Sequence, residues 1–392
     1  MKRRVAVLGA TGSIGQNTLD ILRNNRDRFE PVLLSAHRNI NKLLAAKKEF
    51  PGALIALSDD TVQSGQSSAA EIDFPGKDGL LKAIAAAKAD ITVNGITGAA
   101  GLEPSAAAIR AGSDLALANK ETVVMAGKLI FAMAREKNVH VIPVDSEHSA
   151  IFKLLEAHGR DNISEIILTA SGGPFRNYTR EKLAKVKPEE ALAHPTWNMG
   201  EKITIDSATL ANKGLEVIEA SLLFDLPPEK IKVVVHPQSI VHSMVRLKNG
   251  AVYAQMSEPD MRLPIHEALF WPAQEYSPYG VLDFDSLNLS FEKPDFESFP
   301  MLALAYKALK GAPTMPIAYN AANEAAVHSF LSGRIGFLEI SRIVGYVLGK
   351  SFENGKEMDT IEAVLDEDRK ARNLAEEIIS LKLTAGANDA DF

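Results

Sequence analysis

The side chains with the clearest chemical potential are two carboxylates, Asp145 and Glu147, which follow the apolar run 139–144. Alternate residues of an extended strand project to the same side, so a strand that continued through both would let them converge on one point. Open α/β sheets bind their ligands at the carboxyl ends of their strands. Oxygen ligands favour Mg²⁺ or Mn²⁺. The pair therefore predicts a metal-assisted enzyme.

A metal site needs more than two ligands, and the best source of a third is the segment 209–219. In a helix, Asn212, Lys213 and Glu216 share one face at spacings of three and four residues. Glu219 extends that face, so spacing alone leaves open which glutamate is the ligand. The alternative is a solvated helix with a Lys–Glu pair, which an isolated motif of this kind more often indicates.

The chain opens with the sequence GATGSIG at residues 9–15, between an apolar run and a helical pattern. Glycines at such a turn let the backbone approach a pyrophosphate that rests on the helix N-terminus. The alternative is an ordinary tight turn between a strand and a helix, which the position at the start of an α/β pattern disfavours. The motif predicts a dinucleotide cofactor.

Residues that follow the second predicted strand indicate which dinucleotide is used. NAD enzymes usually end this strand with an acidic residue that binds the ribose, whereas this chain has His37, Arg38 and Asn39. A cation fits a 2′-phosphate, so we predict NADPH with Arg38 as the main discriminator. The alternative is a solvated surface arginine.

Asn119, Lys120 and Glu121 follow another predicted strand, where they can reach both cofactor and substrate. In the alternative, Asn119 caps a helix and Glu121 supports that cap, and both interpretations can hold together. The glycine-rich sequence after Ser171 offers amides and a hydroxyl to an oxyanion, although an ordinary turn would look the same. The segment 194–200 suits a lid that excludes water.

Two further histidines, His236 and His242, lie close together in the sequence. A zinc site would require a third histidine or a cysteine at suitable spacing, and none is evident, so structural hydrogen bonding is the predicted role. Trp197 is predicted to belong to the lid. The alternative is that it is an ordinary residue of the hydrophobic core.

Composition excludes several classes of function. The chain has 392 residues, a net charge of −7, 46% hydrophobic residues and no cysteine. Its basic residues are dispersed, which argues against nucleic acid and anionic membranes as partners. Disulfides, thiolate nucleophiles and cysteine-ligated metals are excluded. With no apolar run near the roughly 20 residues of a membrane helix, we expect a cytoplasmic protein.

The pattern predicts an α/β protein whose residues 1–145 form a Rossmann-like, doubly wound parallel sheet. Residues 146–270 read as an α+β catalytic domain. They include a hairpin within 239–257, because Asn-Gly supplies its turn. Residues 271–298, rich in proline and aromatics, predict an ordered linker, and residues 299–392 predict a small helical domain.

Taken in order, these motifs resemble the 1-deoxy-D-xylulose 5-phosphate reductoisomerase family over nearly the whole chain. The resemblance rests on GATGSIG at 9–15, NKE at 119–121, VDSEH at 144–148, SGGPF at 171–175, HPTWNMG at 194–200, DSAT at 206–209, NKGLE at 212–216, HPQS at 236–239, EPDMR at 258–262 and NAANE at 320–324.

The resemblance implies NADPH-dependent conversion of 1-deoxy-D-xylulose 5-phosphate into 2-C-methyl-D-erythritol 4-phosphate, with a divalent cation, in the non-mevalonate isoprenoid pathway. It implies the metal ligands Asp145, Glu147 and Glu216, which selects Glu216 over Glu219 by resemblance. Lys120, Glu147 and His194 are the implied catalytic residues, and spacing cannot assign a general base.

The remaining site residues are also implied by the resemblance. The NADPH site would be lined by Thr11, Gly12, Ser13, Ile14, His37, Arg38, Asn39, Asn119, Glu121 and Gly200. The small phosphorylated sugar would be held by Lys120, Ser146, Glu147, Ser171, His194, Trp197, Ser207, Asn212, Lys213 and Glu216. Residues 183–196 would form the lid, and the chain would be a homodimer.

One residue departs from the family pattern, since many members have glycine where this chain has His37. At this position the resemblance does not determine how the 2′-phosphate is bound. Without a transit-like N-terminus, the chain reads as bacterial and cytoplasmic, or as a trimmed form from the plastid stroma. Two rival functions remain: a metal-independent NADP-dependent semialdehyde or sugar dehydrogenase, and a non-catalytic NADPH-binding regulator.

Overall fold

A computed structural model describes residues 1–61, 71–194, 196–197, 199–350, 352 and 355–385. Pro195 and Asn198 of the predicted lid motif lie outside the described residues. The chain forms two compact units. Unit 1 comprises residues 1–122, 130–149 and 260–281, and unit 2 comprises residues 123–129, 150–259 and those from 282 onward.

Unit 1 is built on a seven-stranded sheet in the order β4-β3-β2-β1-β5-β6-β7, and its paired strands are parallel. The strands are β1 Arg3–Leu8, β2 Phe29–Ala36, β3 Leu54–Leu57, β4 Phe74–Pro75, β5 Ile91–Asn94, β6 Asp114–Leu117 and β7 Val141–Pro143. This confirms the predicted α/β class with a doubly wound parallel sheet.

The central strand explains why the sheet is so apolar. Val5, Val7 and Leu8 of β1 are fully buried, and β1 pairs with β2 on one side and β5 on the other. A parallel strand covered on both faces requires a continuous hydrophobic run. Because the strands are parallel, their carboxyl ends meet at one edge, where the predicted cofactor motifs follow β1, β2 and β6.

The helices that belong wholly to unit 1 are α1 Ser13–Asn24, α2 Ile40–Glu49, α3 Gly76–Ala87, α4 Leu102–Arg110 and α11 Arg262–Phe270. Two further helices, α5 Lys120–Lys137 and α6 Ser146–His158, contribute residues to both units. The helical path of α5 is interrupted at Ala126, whose φ is −140° and ψ 24°.

Unit 2 contains a four-stranded sheet in the order β11-β10-β8-β9. Its strands are β8 Ile163–Ala170, β9 Ile231–Val235, β10 Val241–Leu247 and β11 Val252–Met256. β10 and β11 pair antiparallel around Gly250, whose φ of +90° is a conformation that glycine adopts without strain. The predicted hairpin is therefore confirmed. β8 and β9 are parallel, so the sheet is mixed.

The remaining helices of unit 2 are α7 Arg180–Leu183, α8 Pro188–Ala191, α9 Glu201–Thr209, α10 Ala211–Leu223, α12 Met301–Lys310, α13 Met315–Leu331, α14 Phe337–Leu348 and α15 Ile361–Ala385. The predicted helical character of the C-terminal region is confirmed. Leu215 and Ile218 of α10 share one buried cluster with Leu302 of α12 and Phe330 of α13. The C-terminal helices thus share a hydrophobic core with the sheet region rather than forming a core of their own.

Residues 271–298, the predicted linker, run through turns and irregular structure. Glu292 forms an antiparallel bridge with Val235 at the end of β9. Among the described residues, the helices are too short or too polar to cross a membrane.

Candidate functional site

The turn between β1 and α1 has the geometry of an anion-binding loop. Gly9 adopts a φ of +78°, and a Cβ at Gly15 would overlap the backbone of Gly9 and Ala10. α1 begins after Gly12, which offers its first turn no side-chain cap. Gly12 and Ser13 are exposed. The first amides of α1 are therefore positioned to bind an anion such as a pyrophosphate.

The end of β2 carries the predicted cofactor discriminator. The Arg38 Nε donates to Asp59 Oδ2 at 2.8 Å, while the Arg38 side chain stays 75% exposed. Hydrogen bonds from Thr61, and then from Arg38, lower the pKa of Asp59 to about 2. The aspartate is therefore charged at neutral pH and orients the guanidinium. His37 Nδ1 lies 3.2 Å from Ser58 Oγ, and Asn39 caps α2 through Lys42 N.

After β6, Asn119 is the N-cap of α5, as one of the two interpretations predicts. Its Oδ1 accepts from Thr122 N at 3.1 Å, and its Nδ2 donates to Gly98 O and Glu121 Oε2, both at 2.9 Å. A Cβ at Gly101 would collide with the Asn119 amide. Close packing thus fixes Asn119, and Asn119 in turn fixes the Glu121 carboxylate beside it.

The carboxylates that follow β7 differ from expectation in their backbone. β7 ends at Pro143 and α6 begins at Ser146, so Glu147 lies in the first turn of a helix. The argument from strand alternation is therefore wrong. The first helical turn is closed by the hydrogen bond from Ser149 N to Asp145 O at 2.8 Å. The acidic residues at this helix N-terminus favour it, because they interact well with the helix dipole.

Lys120 and Asp145 form an ion pair in unit 1, with only 5% and 13% of their side chains exposed. Ser146 Oγ donates to Glu147 Oε2 at 2.7 Å. Taking both charges out of water is costly, and their mutual attraction offsets that cost. The predicted catalytic lysine and one predicted metal ligand are thus direct neighbours.

The predicted site residues do not include His148, which lies three residues after Asp145 in α6. Its side chain is fully buried, and its Nδ1 lies 3.9 Å from Asp145 Oδ2. The signal available in the sequence was the i,i+3 spacing, which becomes informative only once α6 is known to begin at Ser146.

Unit 2 brings three predicted substrate residues together. His194 Nε2 lies 3.1 Å from both Ser171 Oγ and Ser207 Oγ. The glycines after Ser171 permit this arrangement, because Gly172 and Gly173 have positive φ and a Cβ at Gly173 would lie 2.7 Å from Ser207 O. Two hydroxyls and an imidazole nitrogen converge on one point, as binding of a tetrahedral oxyanion requires.

The hydrogen bonds of His194 assign its tautomer. Its Nδ1 accepts from the backbone N–H groups of Thr196 and Trp197 at 3.1 and 2.9 Å. The proton of the neutral ring therefore lies on Nε2 and points to the hydroxyls. Burial lowers the pKa of His194 below its ordinary value of 6.5, so the ring is neutral at pH 7.

The shared face predicted for Asn212, Lys213 and Glu216 is confirmed in α10. Asn212 Nδ2 donates to Glu216 Oε1 at 2.6 Å, and Lys213 forms an ion pair with Glu216 Oε2. Glu216 is fully buried, and Lys213 is 3% exposed. This burial excludes the solvated-helix alternative, because a carboxylate in such a place requires compensation by charge. Glu219 is equally buried, at 1% exposure.

Residues of the predicted lid and the two further histidines lie in unit 2. Trp197 is half-buried, with its ring centroid 6.4 Å from that of His242. Gly200 precedes α9, and its carbonyl accepts from Thr204. His242 Nε2 lies 2.8 Å from Ser257 Oγ, and His236 accepts from the backbone of β10. Both histidines make the structural hydrogen bonds that we predicted.

Comparison with known proteins gives consistent matches along the chain. Residues 5–127 match the family model of 1-deoxy-D-xylulose 5-phosphate reductoisomerase. Residues 141–224 match the model of that enzyme's C-terminal domain, and residues 256–374 match a DXP reductoisomerase C-terminal domain model.

Curated relatives match at nearly full length. The 1-deoxy-D-xylulose 5-phosphate reductoisomerase of Treponema denticola is 49% identical over 375 residues, which cover 95% of this chain and 96% of that protein. The enzyme of the same name from Chlorobaculum tepidum is 47% identical over 382 residues, which cover 96% of this chain and 100% of that protein.

Solved structures agree with the sequence matches. The Zymomonas mobilis reductoisomerase in complex with NADPH superposes with a TM-score of 0.88 at 43% identity, covering 97% of this chain and 99% of that chain. A DOX-P reductoisomerase in complex with NADPH, fosmidomycin and magnesium has a TM-score of 0.92 at 37% identity, covering 98% and 100%.

Proposed function

The chain belongs to the 1-deoxy-D-xylulose 5-phosphate reductoisomerase family, and we propose that it catalyses the family's reaction with the residues described above. It is an NADPH-dependent oxidoreductase that converts 1-deoxy-D-xylulose 5-phosphate into 2-C-methyl-D-erythritol 4-phosphate with the assistance of a divalent cation. The observation that carries this conclusion is the match of almost the entire chain to relatives of that one activity.

NADPH would bind at the carboxyl edge of the sheet in unit 1. The uncapped start of α1 fits a pyrophosphate, and Gly12 leaves space for its approach. Arg38, oriented by Asp59, supplies the positive charge for a 2′-phosphate. The wider cofactor set also includes Thr11, Ser13, Ile14, His37, Asn39, Asn119, Glu121 and Gly200. When bound, the cofactor supplies the hydride.

The proposed ligands of the cation are Asp145, Glu147 and Glu216. Carboxylate oxygens suit Mg²⁺ or Mn²⁺. Asp145 is paired with Lys120 and Glu216 with Lys213, so these two carboxylates are held in their charged form, in which they are able to bind a cation. When bound, the metal supplies a Lewis acid for the substrate's carbonyl and neighbouring hydroxyl.

The substrate phosphate is proposed to bind at Ser171, His194 and Ser207. The Nε2–H of His194 and both hydroxyls are able to donate to phosphate oxygens, and a phosphate would favour protonation of the ring. The proposed phosphate ligands also include Asn212 and Lys213 of α10. Binding energy gained here, away from the reacting carbons, would orient the substrate and close the lid.

Lys120, Ser146 and Glu147 are proposed to act near the reacting carbons, where they contact substrate hydroxyls. The Lys120 ammonium is able to donate a proton and the Glu147 carboxylate to accept one. Ser146, which donates to Glu147, would orient that carboxylate. Residues 183–196 form the proposed lid, which would bring Trp197 over the substrate and exclude water.

We also propose that the chain is a homodimer. β11 is an edge strand of its sheet, and Val252 and Tyr253 on it are each 43% exposed. An apolar edge strand that exposes unpaired backbone groups is suited to pairing with a second copy. Light scattering after size exclusion should give twice the mass of one chain. The Val252→Lys variant should give the mass of a single chain. The cytoplasmic location expected from the sequence stays a prediction.

Identification of the product tests the proposed function. We expect the purified protein with Mn²⁺, NADPH and 1-deoxy-D-xylulose 5-phosphate to yield a branched carbon skeleton, visible by NMR as a quaternary carbon. A plain NADP-dependent dehydrogenase would also consume NADPH, but it would return an unbranched sugar alcohol phosphate. A regulator would bind NADPH and consume none.

A further inference from the structure

The motif NAANE at residues 320–324 has no part in the chemistry proposed above, yet its two amides are fully buried in α13. Burying an amide is costly unless it finds partners. Asn323 Nδ2 donates to Asp206 Oδ1 at 2.7 Å across 117 residues of sequence. Asp206 is 1% exposed, and its Oδ2 lies 2.8 Å from Lys202 Nζ. The contact is thus a charge-assisted hydrogen bond in a dry interior.

Asp206 immediately precedes Ser207 in α9. Neighbouring residues of a helix point about 100° apart, and here they meet different partners, since Ser207 contacts His194 while Asp206 contacts α13. The same end of α9 is packed against Gly173, where a Cβ would lie 3.0 Å from Ala208 Cα. With so little space, a shift or rotation of α9 would move the Ser207 hydroxyl relative to His194.

α13 also packs closely against α10, the helix that follows α9. A Cβ at Gly214 of α10 would lie 2.5 Å from Tyr319 Oη of α13 and 2.8 Å from Ala305 Cβ of the neighbouring α12. Burial, together with the charge of Asp206, raises the pKa of Tyr319 well above its ordinary value, so its hydroxyl stays neutral. Both helices that carry proposed phosphate ligands therefore rest on α13 through close contacts.

We propose that Asn323 is a positioning residue for the phosphate site. Its amide holds Asp206, and through the backbone of α9 it sets the place where Ser207 meets His194. This inference rests on the proposed function, because it assigns the role to the phosphate of that substrate. Asn323 is fully buried in α13 and is not among the proposed ligands of substrate or cofactor.

The test compares Asn323→Leu with Asn320→Leu. Asn320 is the matched control, because it is the same residue type with the same full burial one turn away in α13, and its amide donates to Glu324 and to Met125 instead of α9. For N323L we expect the KM for 1-deoxy-D-xylulose 5-phosphate to rise about tenfold, the scale of one hydrogen bond to a charged group.

The inhibition constant of inorganic phosphate, used as a competitor, should rise in the same ratio. The KM for NADPH should stay within about twofold of the wild type, because only Gly200 among the proposed cofactor residues adjoins α9, at its N-terminal end away from Asp206. N320L should lower the melting temperature to a similar extent and leave all three constants unchanged. Should N323L not fold, Asn323→Ser and Asn320→Ser give the same comparison.

Exchanging the two residues of the Asn323–Asp206 pair tests whether the KM can be rescued. Asn323→Asp alone places two carboxylates together and should raise the KM further than N323L. Combined with Asp206→Asn, it restores one donor and one carboxylate, and the KM should return to within about threefold of the wild type. An unchanged KM in N323L, or equal increases in N323L and N320L, would overturn the inference.

Failure of the proposed function gives a different result. It would leave the wild type without turnover, and binding of inorganic phosphate by calorimetry would then compare the same variants. Weaker phosphate binding in N323L than in N320L would still support the inference, and equal binding would overturn it.

Discussion

His194 and Ser207 meet at 3.1 Å although one precedes α9 and the other lies near its end. Because Nδ1 of His194 accepts two backbone hydrogen bonds, Nε2 carries the proton and faces the hydroxyl. Backbone geometry therefore determines the direction in which the imidazole donates. A site built this way is ready for an oxyanion before the oxyanion arrives.

His194 should make stability depend on pH. Burial lowers its pKa below 6.5 in the folded chain, so the unfolded chain binds the proton first as the pH falls. Its contribution to the free energy of unfolding is present above pH 6.5 and is lost as the pH falls through the folded pKa. Denaturant unfolding of wild type and His194→Gln across this range should show the steeper dependence in the wild type. Parallel curves would contradict the pKa shift.

Arg38 should select NADPH over NADH. Its removal in Arg38→Ala should raise the KM for NADPH about tenfold or more, the scale of a lost charge-assisted contact, and leave the KM for NADH nearly unchanged. Steady-state kinetics with both cofactors makes the comparison. Equal changes for the two cofactors would assign Arg38 to the surface and leave 2′-phosphate recognition to another residue.

Substitutions at Gly15 and Gly12 should have different effects, the first on the stability of the fold and the second on cofactor binding. A methyl group at Gly15 would overlap the backbone of Gly9 and Ala10, whereas at Gly12 the nearest atom would lie 3.5 Å away. Gly15→Ala should therefore cost about 1–3 kcal/mol of unfolding free energy. Gly12→Ala should keep the wild-type stability and weaken NADPH binding. Thermal unfolding and cofactor titration measure the two effects, and equal stability of both variants would count against the packing argument.

Sequence patterns anticipated the parallel sheet well, because a buried strand such as β1 appears in the sequence as the apolar run that precedes the glycine motif. The hairpin and the α10 face also followed from local rules of turn and helix geometry. The helical start at Ser146 did not, because an apolar run ending in Pro143 and Val144 gives no signal of where its extended conformation stops. The Asn323–Asp206 contact was equally invisible, since pairings over 117 residues depend on how helices pack.

Trp197 should report closure of the proposed lid. The chain has two tryptophans, so Trp271→Phe leaves Trp197 as the single tryptophan, which excitation at its own absorption edge distinguishes from tyrosine. Trp197 is half-buried, and contact with a bound substrate should shift its emission to shorter wavelength. Fluorescence titration of the NADPH-bound variant with 1-deoxy-D-xylulose 5-phosphate, in EDTA so that no turnover occurs, measures this. Emission that stays constant at saturating substrate would argue against a lid role for Trp197.

The proposed metal mechanism depends on the Glu216 carboxylate of α10. Glu219 provides its matched control. Both glutamates lie in α10 and are buried, and they differ by three residues. The decisive measurement is NADPH oxidation with 1-deoxy-D-xylulose 5-phosphate, with and without Mn²⁺, for wild type, Glu216→Gln and Glu219→Gln.

We expect Mn²⁺-dependent turnover in the wild type and in Glu219→Gln, and a loss of more than about 100-fold in Glu216→Gln, since even residues that only support a metal ligand cost 10–100-fold. Turnover that survives chelation, or a Glu216→Gln variant as active as Glu219→Gln, would contradict the account.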